Sequence, residues 1–96
     1  MISDTIKTLR ERANMSQAAL AKKLDVTRSS VNAWEMGLST PTTQYVVGIA
    51  KLFHVSADYL LGMEAKASIV LDGYTPEEIE LLYSLIKYFD NQRSLR

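Results

Sequence analysis

The strongest constraint on this chain is the stretch MSQAALAKKLDVTRSSVNAWEMG, which occupies residues 15–37. Its hydrophobic residues recur three and four positions apart in two segments of about eight residues, which predicts two amphipathic helices in direct succession. Ser16 and Thr27 stand just before the two segments, and both are favoured N-cap residues. Asp25 lies in the turn between them and tolerates the left-handed backbone conformation better than most residues other than glycine. The second helix should end at Gly37.

The two predicted helices must bury their apolar faces against each other. Ala21 stands where they would touch, because a larger side chain there would push two crossing helices apart. The predicted buried residues are Ala18 or Ala19, Leu20, Ala21, Leu24, Val31 and Trp34. Two helices that cross through a turn of three or four residues form a helix-turn-helix. The second helix also carries more hydroxyl and amide side chains than a core helix needs, so its outer face is the candidate functional surface.

Three further helices complete a predicted all-α bundle over residues 1–62. The first should begin after Ser3 or Asp4 and end at Asn14, and a fourth should open at Pro41 and Thr42, with Gly48 marking close helix packing. A short fifth helix should be capped by Ser56 and closed by Gly62. The apolar faces of the first and fourth helices are predicted at Ile6, Leu9, Ala13, Val46, Ile49, Ala50 and Phe53.

The C-terminal third has a different organisation. Residues 63–75 contain SIVLDG, which predicts either a short strand or an extended linker. Thr75 as cap and Pro76 at the first helical position then predict an extra helix over residues 76–92. Its apolar stripe consists of Ile79, Leu82, Tyr83, Ile86 and Phe89, and Leu81, Leu85 and Tyr88 broaden it. That stripe could fold back on its own bundle or pair with a second copy, and we favour a homodimer.

Composition argues against catalysis. The chain has no cysteine and one histidine, so it has neither the residues of a common zinc site nor those of a catalytic triad. His54 follows the fourth helix, where we expect a solvent-facing C-terminal cap. We therefore expect no enzymatic activity, no catalytic residues, no metal and no cofactor. The N-terminus lacks the apolar core of a signal peptide, and no segment approaches membrane-spanning length, so a cytoplasmic protein is expected.

Charge is unevenly distributed although the formal net charge is zero. Residues 1–62 carry seven basic and five acidic residues, whereas residues 63–96 carry four basic and six acidic residues. The front part is therefore mildly basic and the back part mildly acidic. This asymmetry permits a phosphate-binding face without requiring one.

The ordered motifs resemble one family, the helix-turn-helix regulators of the lambda and 434 phage repressor and Cro type (XRE-like). The resemblance rests on residues 15–37, on the Pro41–Thr42 pair and on FHVSADYLLG at residues 53–62. In this family the second helix of the pair lies in the DNA major groove, where its early residues read base edges. The resemblance implies a lambda-repressor-like bundle, double-stranded DNA as partner, and a bacterial or phage transcription regulator, most often a homodimeric repressor.

Site residues follow from the resemblance position by position. The implied base-reading residues are Thr27, Arg28, Ser29, Asn32 and Ala33, and the implied phosphate contacts are Ser16, Gln17, Ser30, Ser39 and Thr40. Arg28 suits guanine and Asn32 suits adenine, because each side chain can form two hydrogen bonds with that base. Arg10 and Glu35 match a structural ion pair between the first and third helices.

The chain departs from the family pattern in two places. Asp25 stands where the family commonly has glycine, which implies some backbone strain. The loop MGLSTP at residues 36–41 has no lysine or arginine, so affinity for the DNA backbone should be modest and should depend weakly on salt.

An antitoxin or anti-repressor type of interaction module is the alternative function. In that case the C-terminal helix would bind a partner protein instead of a second copy. A small enzyme would need convergent acid and base groups, and none are found in the sequence.

Overall fold

A computed structural model describes residues 1–63 and 69–94, which form six α-helices and no strand. The helices are α1 (Ile2–Arg12), α2 (Gln17–Leu24), α3 (Arg28–Glu35), α4 (Thr43–Phe53), α5 (Ala57–Leu60) and α6 (Pro76–Ser94). The predicted all-α class is confirmed. The last helix extends two residues beyond the predicted end at residue 92.

Helices α1 to α5 enclose one hydrophobic core. Helix α3 packs against both α1 and α2, while α4 packs against α2 and α5. The core cluster consists of Ile6, Leu20, Ala21, Val31, Trp34, Val46, Ile49 and Leu60. All residues of the described ranges that are buried as a whole are apolar, as expected for a bundle whose helices each present one stripe to the interior. The side chains of one ion pair, Arg10 and Glu35, are also largely shielded from solvent.

Polar residues in the left-handed conformation end three of the helices. These residues are Asn14, Asp25 and His54, with φ values of 55°, 56° and 55°. After each of them, the next N–H donates to the carbonyl five residues back, which satisfies a carbonyl at the helix end. The residues that donate are Met15, Val26 and Val55, and their apolar side chains pack on the core or within it. The predictions at Asn14 and Asp25 are confirmed.

Side-chain caps begin α2, α3 and α5 as predicted, whereas α4 begins after Thr42 without a side-chain cap. Ser16, Thr27 and Ser56 each accept a hydrogen bond from the backbone N–H three residues later. Helix α1 begins at Ile2 and has no side-chain cap, so the predicted start after Ser3 or Asp4 is wrong. Both residues lie inside the first turn, where the carboxylate of Asp4 still faces the positive end of the helix dipole favourably.

The predicted helix faces are correct for the large side chains and wrong for three alanines. Ala13, Ala18 and Ala19 are exposed. Burial in α2 begins only at Leu20, so the first turn of α2 projects from the bundle. Gly48 on α4 has the predicted close neighbour, because a methyl group at its α-carbon would lie 3.4 Å from Leu24 Cδ2.

Residues 69–75 return to the end of α4 without forming a strand. Val70 N–H donates to the carbonyl of His54 at 2.9 Å, and Val70 O lies 3.2 Å from His54 Nδ1. The rings of His54 and Tyr74 are 4.8 Å apart. His54 ends α4 as predicted, but it is half-buried under this segment and only partly exposed to solvent. Of the SIVLDG motif, Ser68 lies outside the described residues.

Helix α6 begins with a reciprocal capping box. Glu78 N–H donates to Thr75 Oγ1, and Thr75 N–H donates to Glu78 Oε1. None of its side chains described is buried, and its contacts with other helices are sparse. The radius of gyration of 15.5 Å exceeds the roughly 12.5 Å of a compact domain of this length, in keeping with a projecting helix. No helix in the described ranges is long and apolar enough to span a membrane.

Replacing Leu20 by alanine should destabilise the bundle. The Leu20 side chain is fully buried, so truncation removes its burial energy and leaves a cavity, at a cost of about 2–5 kcal/mol. Urea-induced unfolding followed by circular dichroism measures the difference. Leu38→Ala, at a position 77% exposed, is the control and should change stability by less than about 0.5 kcal/mol. Equal effects of both variants would contradict the described core.

Candidate nucleic-acid interface

One edge of α3 faces outward while the opposite edge is buried. Val31 and Trp34 point into the core, with exposures of 0% and 5%. Arg28, Ser29 and Asn32 on the outer edge are exposed, and no described part of the chain covers them. The spacing of polar and apolar residues in RSSVNAWE produces this division, because positions 28, 29 and 32 lie on the side of the helix opposite positions 31 and 34.

The first turn of α3 is stabilised by its own hydroxyl groups. Thr27 Oγ1 accepts a hydrogen bond from Ser30 N–H at 3.1 Å, and the two hydroxyl oxygens are 3.0 Å apart. Thr27, implied as a base reader, therefore also serves as the N-cap of α3. Ser30, implied as a phosphate contact, is half-buried beside it. These contacts hold the start of α3 in a defined geometry.

Arg28 is the one cation on α3. Its side chain is exposed and makes no hydrogen bond or ion pair with any residue in the described ranges. All five of its N–H donors are therefore available to an external acceptor. Ser29 beside it is also exposed and has no hydrogen-bond partner among the described residues.

The start of α2 offers donors to an anion. Ser16 Oγ accepts from Ala19 N–H at 3.0 Å, which leaves its O–H free to donate. The backbone N–H groups of Gln17 and Ala18 lie in the first turn and have no partner inside the helix. A phosphate oxygen is the natural acceptor for such groups.

Arg10 and Glu35 form the expected pair, with two hydrogen bonds. Arg10 Nε lies 2.7 Å from Glu35 Oε2, and Arg10 Nη2 lies 2.9 Å from Glu35 Oε1. The side chains are 12% and 3% exposed, so the pair is largely removed from solvent. Arg10 Nη1 also donates to the carbonyl of Met15 at 2.7 Å. One guanidinium thus joins α1, the turn before α2, and the end of α3.

Gln17 extends this network to the outer edge of α3, a contact that the sequence reasoning missed. Its Nε2 lies 3.2 Å from Glu35 Oε1 and 3.2 Å from Asn32 Oδ1. Gln17 and Asn32 are fifteen residues apart and stand on different helices, so no local sequence signal indicates the contact. Only the crossing of α2 and α3 brings them together.

The pKa values of the pair follow from these contacts. Burial by itself would raise the pKa of Glu35, but hydrogen bonds from Arg10 and Gln17, with the charges of Arg10 and Lys7, outweigh it and hold the pKa below its usual value. The hydrogen bond to Glu35 raises the pKa of Arg10. Both groups are therefore charged at neutral pH, and Glu35 is an obligatory acceptor.

Three further residues implied as DNA contacts do not lie on the outer edge of α3. Two of them stand in the loop that follows the helix, and the third is Ala33. Ser39 and Thr40 are exposed in the loop after α3. Ala33 is half-buried, and its carbonyl accepts hydrogen bonds from the backbone of Leu38 and Ser39. These two hydrogen bonds connect the loop to α3 and so position Ser39.

The apolar stripe of α6 forms one wall of a groove, which we call the α6 groove. It has a volume of about 410 Å³ and is lined by Ile69, Leu71, Leu82, Tyr83, Leu85, Ile86 and Phe89. Four of the five residues predicted for dimerisation line it, and Ile79, half-buried one turn earlier, does not. Ile69 and Leu71 were not predicted as part of this surface. Tyr83 and Phe89 remain 62% and 54% exposed.

Comparison with known proteins agrees with this architecture. The helix-turn-helix family model matches residues 6–60. The chain belongs to the helix-turn-helix family. The HTH-type transcriptional regulator YqaE of Bacillus subtilis is 32% identical over 72 residues, which cover 75% of this chain but only 62% of YqaE. The antitoxin PezA of Streptococcus pneumoniae is 29% identical over 100 residues, covering 96% of this chain and 63% of PezA.

Solved structures give the same assignment. The P22 c2 repressor in complex with a synthetic operator matches with a TM-score of 0.60 at 27% identity, covering 62% of this chain and 91% of that one. SinR in complex with DNA matches with a TM-score of 0.59 at 32% identity, covering 64% and 98%. The predicted lambda-repressor-like fold is confirmed, and the relatives and structures that this chain matches include HTH-type transcriptional regulators and repressors bound to DNA.

Glu35→Gln should destabilise the protein in a pH-dependent way. Because the pKa of Glu35 is lowered in the folded state, the ionised pair contributes its full stability above the ordinary glutamate pKa of about 4.5. That contribution is lost as the pH falls through the lowered value. At pH 7 the variant should lose about 3 kcal/mol, because Arg10 would stay buried without its charged partner. Urea unfolding at several pH values between about 3 and 7 should show the wild type approaching the variant in acid.

An exposed ion pair supplies the control for that experiment. Asp90 pairs with Arg93 on the surface of α6, where such a pair contributes at most about 1 kcal/mol. Asp90→Asn should therefore leave the stability curve nearly unchanged. A constant difference between Glu35→Gln and wild type across the whole pH range would contradict the assigned role of Glu35.

Proposed function

We propose that this protein is a sequence-specific, double-stranded DNA-binding regulator that acts as a homodimeric repressor. The observation that carries the proposal is the uncovered outer edge of α3, where Arg28, Ser29 and Asn32 stand on the buried Val31 and Trp34. A helix held this firmly from beneath can enter the major groove, which is wide enough for one α-helix. The P22 c2 repressor and SinR, both solved with DNA, share the fold and support this reading.

Base recognition is assigned chiefly to Arg28. Its free guanidinium can donate two hydrogen bonds to O6 and N7 of a guanine. Ser29 and Ala33 would contribute a hydroxyl group and a methyl contact, and Thr27 would combine base contact with its capping role. Asn32 stands one turn further along α3, on the same outer edge.

Phosphate contacts are assigned to the start of α2 and to the loop after α3. The Ser16 hydroxyl and the free N–H groups of the first turn of α2 suit one phosphate, and Ser30, Ser39 and Thr40 suit others. Such contacts fix the register of the protein on the duplex without reading its sequence. Because the loop has no lysine or arginine, affinity should fall only gently with salt.

The proposed mechanism is occupancy of an operator, which blocks polymerase. It requires no cofactor and no chemistry on the DNA, and it places the protein in the cytoplasm. Two copies would bind half-sites about 34 Å apart. The preference of the dimer for its operator over other DNA would then be the square of the preference of one subunit.

Arg28→Ala should weaken operator binding by about 1–3 kcal/mol and relax the preference at one base position. An operator is first selected from a random pool of duplex DNA, and gel-shift titration then gives Kd for the variant. Lys51→Ala, which removes an exposed cation at the far end of α4, is the charge-matched control and should bind like wild type. Ser16→Ala should weaken binding to all sequences similarly. Unchanged operator affinity in Arg28→Ala would show that the assigned helix register is wrong.

The α6 groove is proposed as the dimer interface. In the part of the chain that the structure describes, α6 makes few contacts with α1 to α5. Its exposed apolar area exceeds what isolated surface residues require, and its stripe consists of Ile79, Leu82, Tyr83, Ile86 and Phe89. A second copy of the same helix would cover it by an isologous contact, as two-fold symmetry requires. The 69–71 segment would add Ile69 and Leu71 to the interface.

Ile86→Asp should separate the dimer into monomers. Wild type should elute with twice the chain mass of 10.8 kDa when molar mass is measured by light scattering after size exclusion, and the variant should elute with the single-chain mass. The new carboxylate would be buried without a partner in the interface, which is strongly unfavourable. Asn91→Asp adds the same charge on the polar side of α6 and should stay dimeric. A monomeric wild type would overturn this part of the proposal.

An antitoxin-like interaction module is the second candidate. The likeness to the antitoxin PezA extends over 96% of this chain and therefore includes α6, and the α6 groove could receive a partner protein. Co-purification of a small partner at a fixed ratio, lost in Ile86→Asp but kept in Asn91→Asp, would favour this candidate over the homodimer.

A further inference from the structure

We infer that Gln17 is a positioning residue that orients the amide of Asn32 so that its NH2 group, and not its oxygen, faces the DNA. Asn32 would then read a base that presents a hydrogen-bond acceptor. The inference rests on the proposed function, because it assumes that α3 enters the major groove. It assigns to Gln17 a role in base selection instead of the phosphate contact that its position in the family implies.

The orientation of Gln17 is dictated by charge. Glu35 is held ionised by two hydrogen bonds from Arg10, and an ionised carboxylate accepts hydrogen bonds only. The amide of Gln17 lies 3.2 Å from Glu35 Oε1. Only its NH2 group is compatible with that neighbour, since the amide oxygen would be repelled. The Gln17 amide is therefore prevented from flipping by a pair that is almost completely buried.

The orientation of Asn32 then follows from Gln17. The same Nε2 lies 3.2 Å from the Asn32 amide, and a donor requires the oxygen of that amide as its acceptor. Asn32 Oδ1 is thus turned toward α2, and Nδ2 is left on the exposed side. One chain of hydrogen bonds sets the polarity, and it runs from the buried Arg10 through Glu35 and Gln17 to the outer edge of α3.

This polarity has a consequence for base selection. In the major groove, guanine offers O6 and N7, adenine offers N7 and thymine offers O4 as acceptors, whereas cytosine offers only its N4 donor. An asparagine that rotates freely can present either end of its amide. With its NH2 group held outward, Asn32 favours an acceptor-bearing base, and a cytosine at the contacted position is disfavoured.

The same geometry changes the role of the Gln17 side chain. Both N–H groups of Nε2 are used within the protein, by Glu35 and Asn32. Only Oε1 remains, and a phosphate oxygen cannot donate to it. Any phosphate contact at this position therefore falls to the backbone N–H of Gln17.

The test measures base preference, which a purely structural residue would not change. An operator is selected from a random duplex pool with the wild-type protein, and the affinity is measured for operators substituted at each base pair. The base pair read by Asn32 is the one whose substitution weakens binding of wild type but not of Asn32→Ala. Gln17→Met, which keeps the length of the side chain but has no donor, should reduce discrimination at that same base pair by about fivefold, the lower end of what a good base contact supplies. Preferences at the Arg28 position should remain.

Asn32→Asp supplies a matched variant. Its carboxylate keeps an acceptor for Gln17 but presents a second acceptor outward, so the preferred base should shift toward cytosine, whose N4 group donates. The two oxygens of a carboxylate are equivalent acceptors, so rotating the group by 180° changes nothing that the DNA contacts. Gln17 therefore has no orientation to select in this variant. Adding Gln17→Met to Asn32→Asp should therefore leave its base preference unchanged, in contrast to the effect of Gln17→Met in wild type.

Each outcome decides the question. A uniform loss of affinity for all sequences in Gln17→Met would assign Gln17 to phosphate binding or to folding and overturn the inference, as would an unchanged preference profile. If Asn32→Ala loses base preference at no position of the operator, Asn32 reads no base and the inference also fails. Circular dichroism confirms that the variants fold, and Gln17→Ala repeats the test if Gln17→Met does not. A random pool that yields no preferred sequence would refute the proposed function itself.

Discussion

Close packing between α2 and α3 determines where every candidate DNA contact lies. Ala21 is 3% exposed, and its small side chain allows the two helices to approach while Leu20 and Val31 are buried fully beneath the crossing. The crossing fixes the angle at which α3 projects and places the first turn of α2 beside it. The groups on α3 proposed to face bases and those at the start of α2 proposed to face phosphates are therefore held by the same apolar contact, and a change in that contact would move both together.

A polar network connects this core to the surface. Arg10 and Glu35 join α1 to α3, and Gln17 carries the connection across to Asn32. Every side-chain N and O atom that is buried in the described ranges has a hydrogen-bond partner, so the network avoids the cost of unpaired polar groups. Its members are arranged from the most buried charge to the most exposed amide. A bundle of this size can in this way fix the orientation of a surface side chain without covering it.

Helix α6 obeys a different constraint from the rest of the chain. A helix in the bundle buries its apolar stripe against its neighbours, whereas α6 leaves most of its stripe in solvent. The segment at residues 69–75 docks on His54, and α6, which follows it, makes few contacts with the other described helices. The proposed DNA-binding surface and the α6 groove are thus separate surfaces of one chain, as the proposal of a regulator that binds DNA and a second protein chain at the same time requires.

Local signals in the sequence determined the helices, most of their ends and the residues that form the core. Hydrophobic spacing predicted Leu20, Val31 and Trp34 as buried, and cap chemistry predicted Ser16, Thr27 and Thr75, because these effects act within one or two turns of backbone. Tertiary structure alone decided the contact between Gln17 and Asn32, the cover over His54 and the direction of α6. Each of these depends on how distant segments cross, and crossing geometry results from the packing of the whole bundle, which no local pattern encodes.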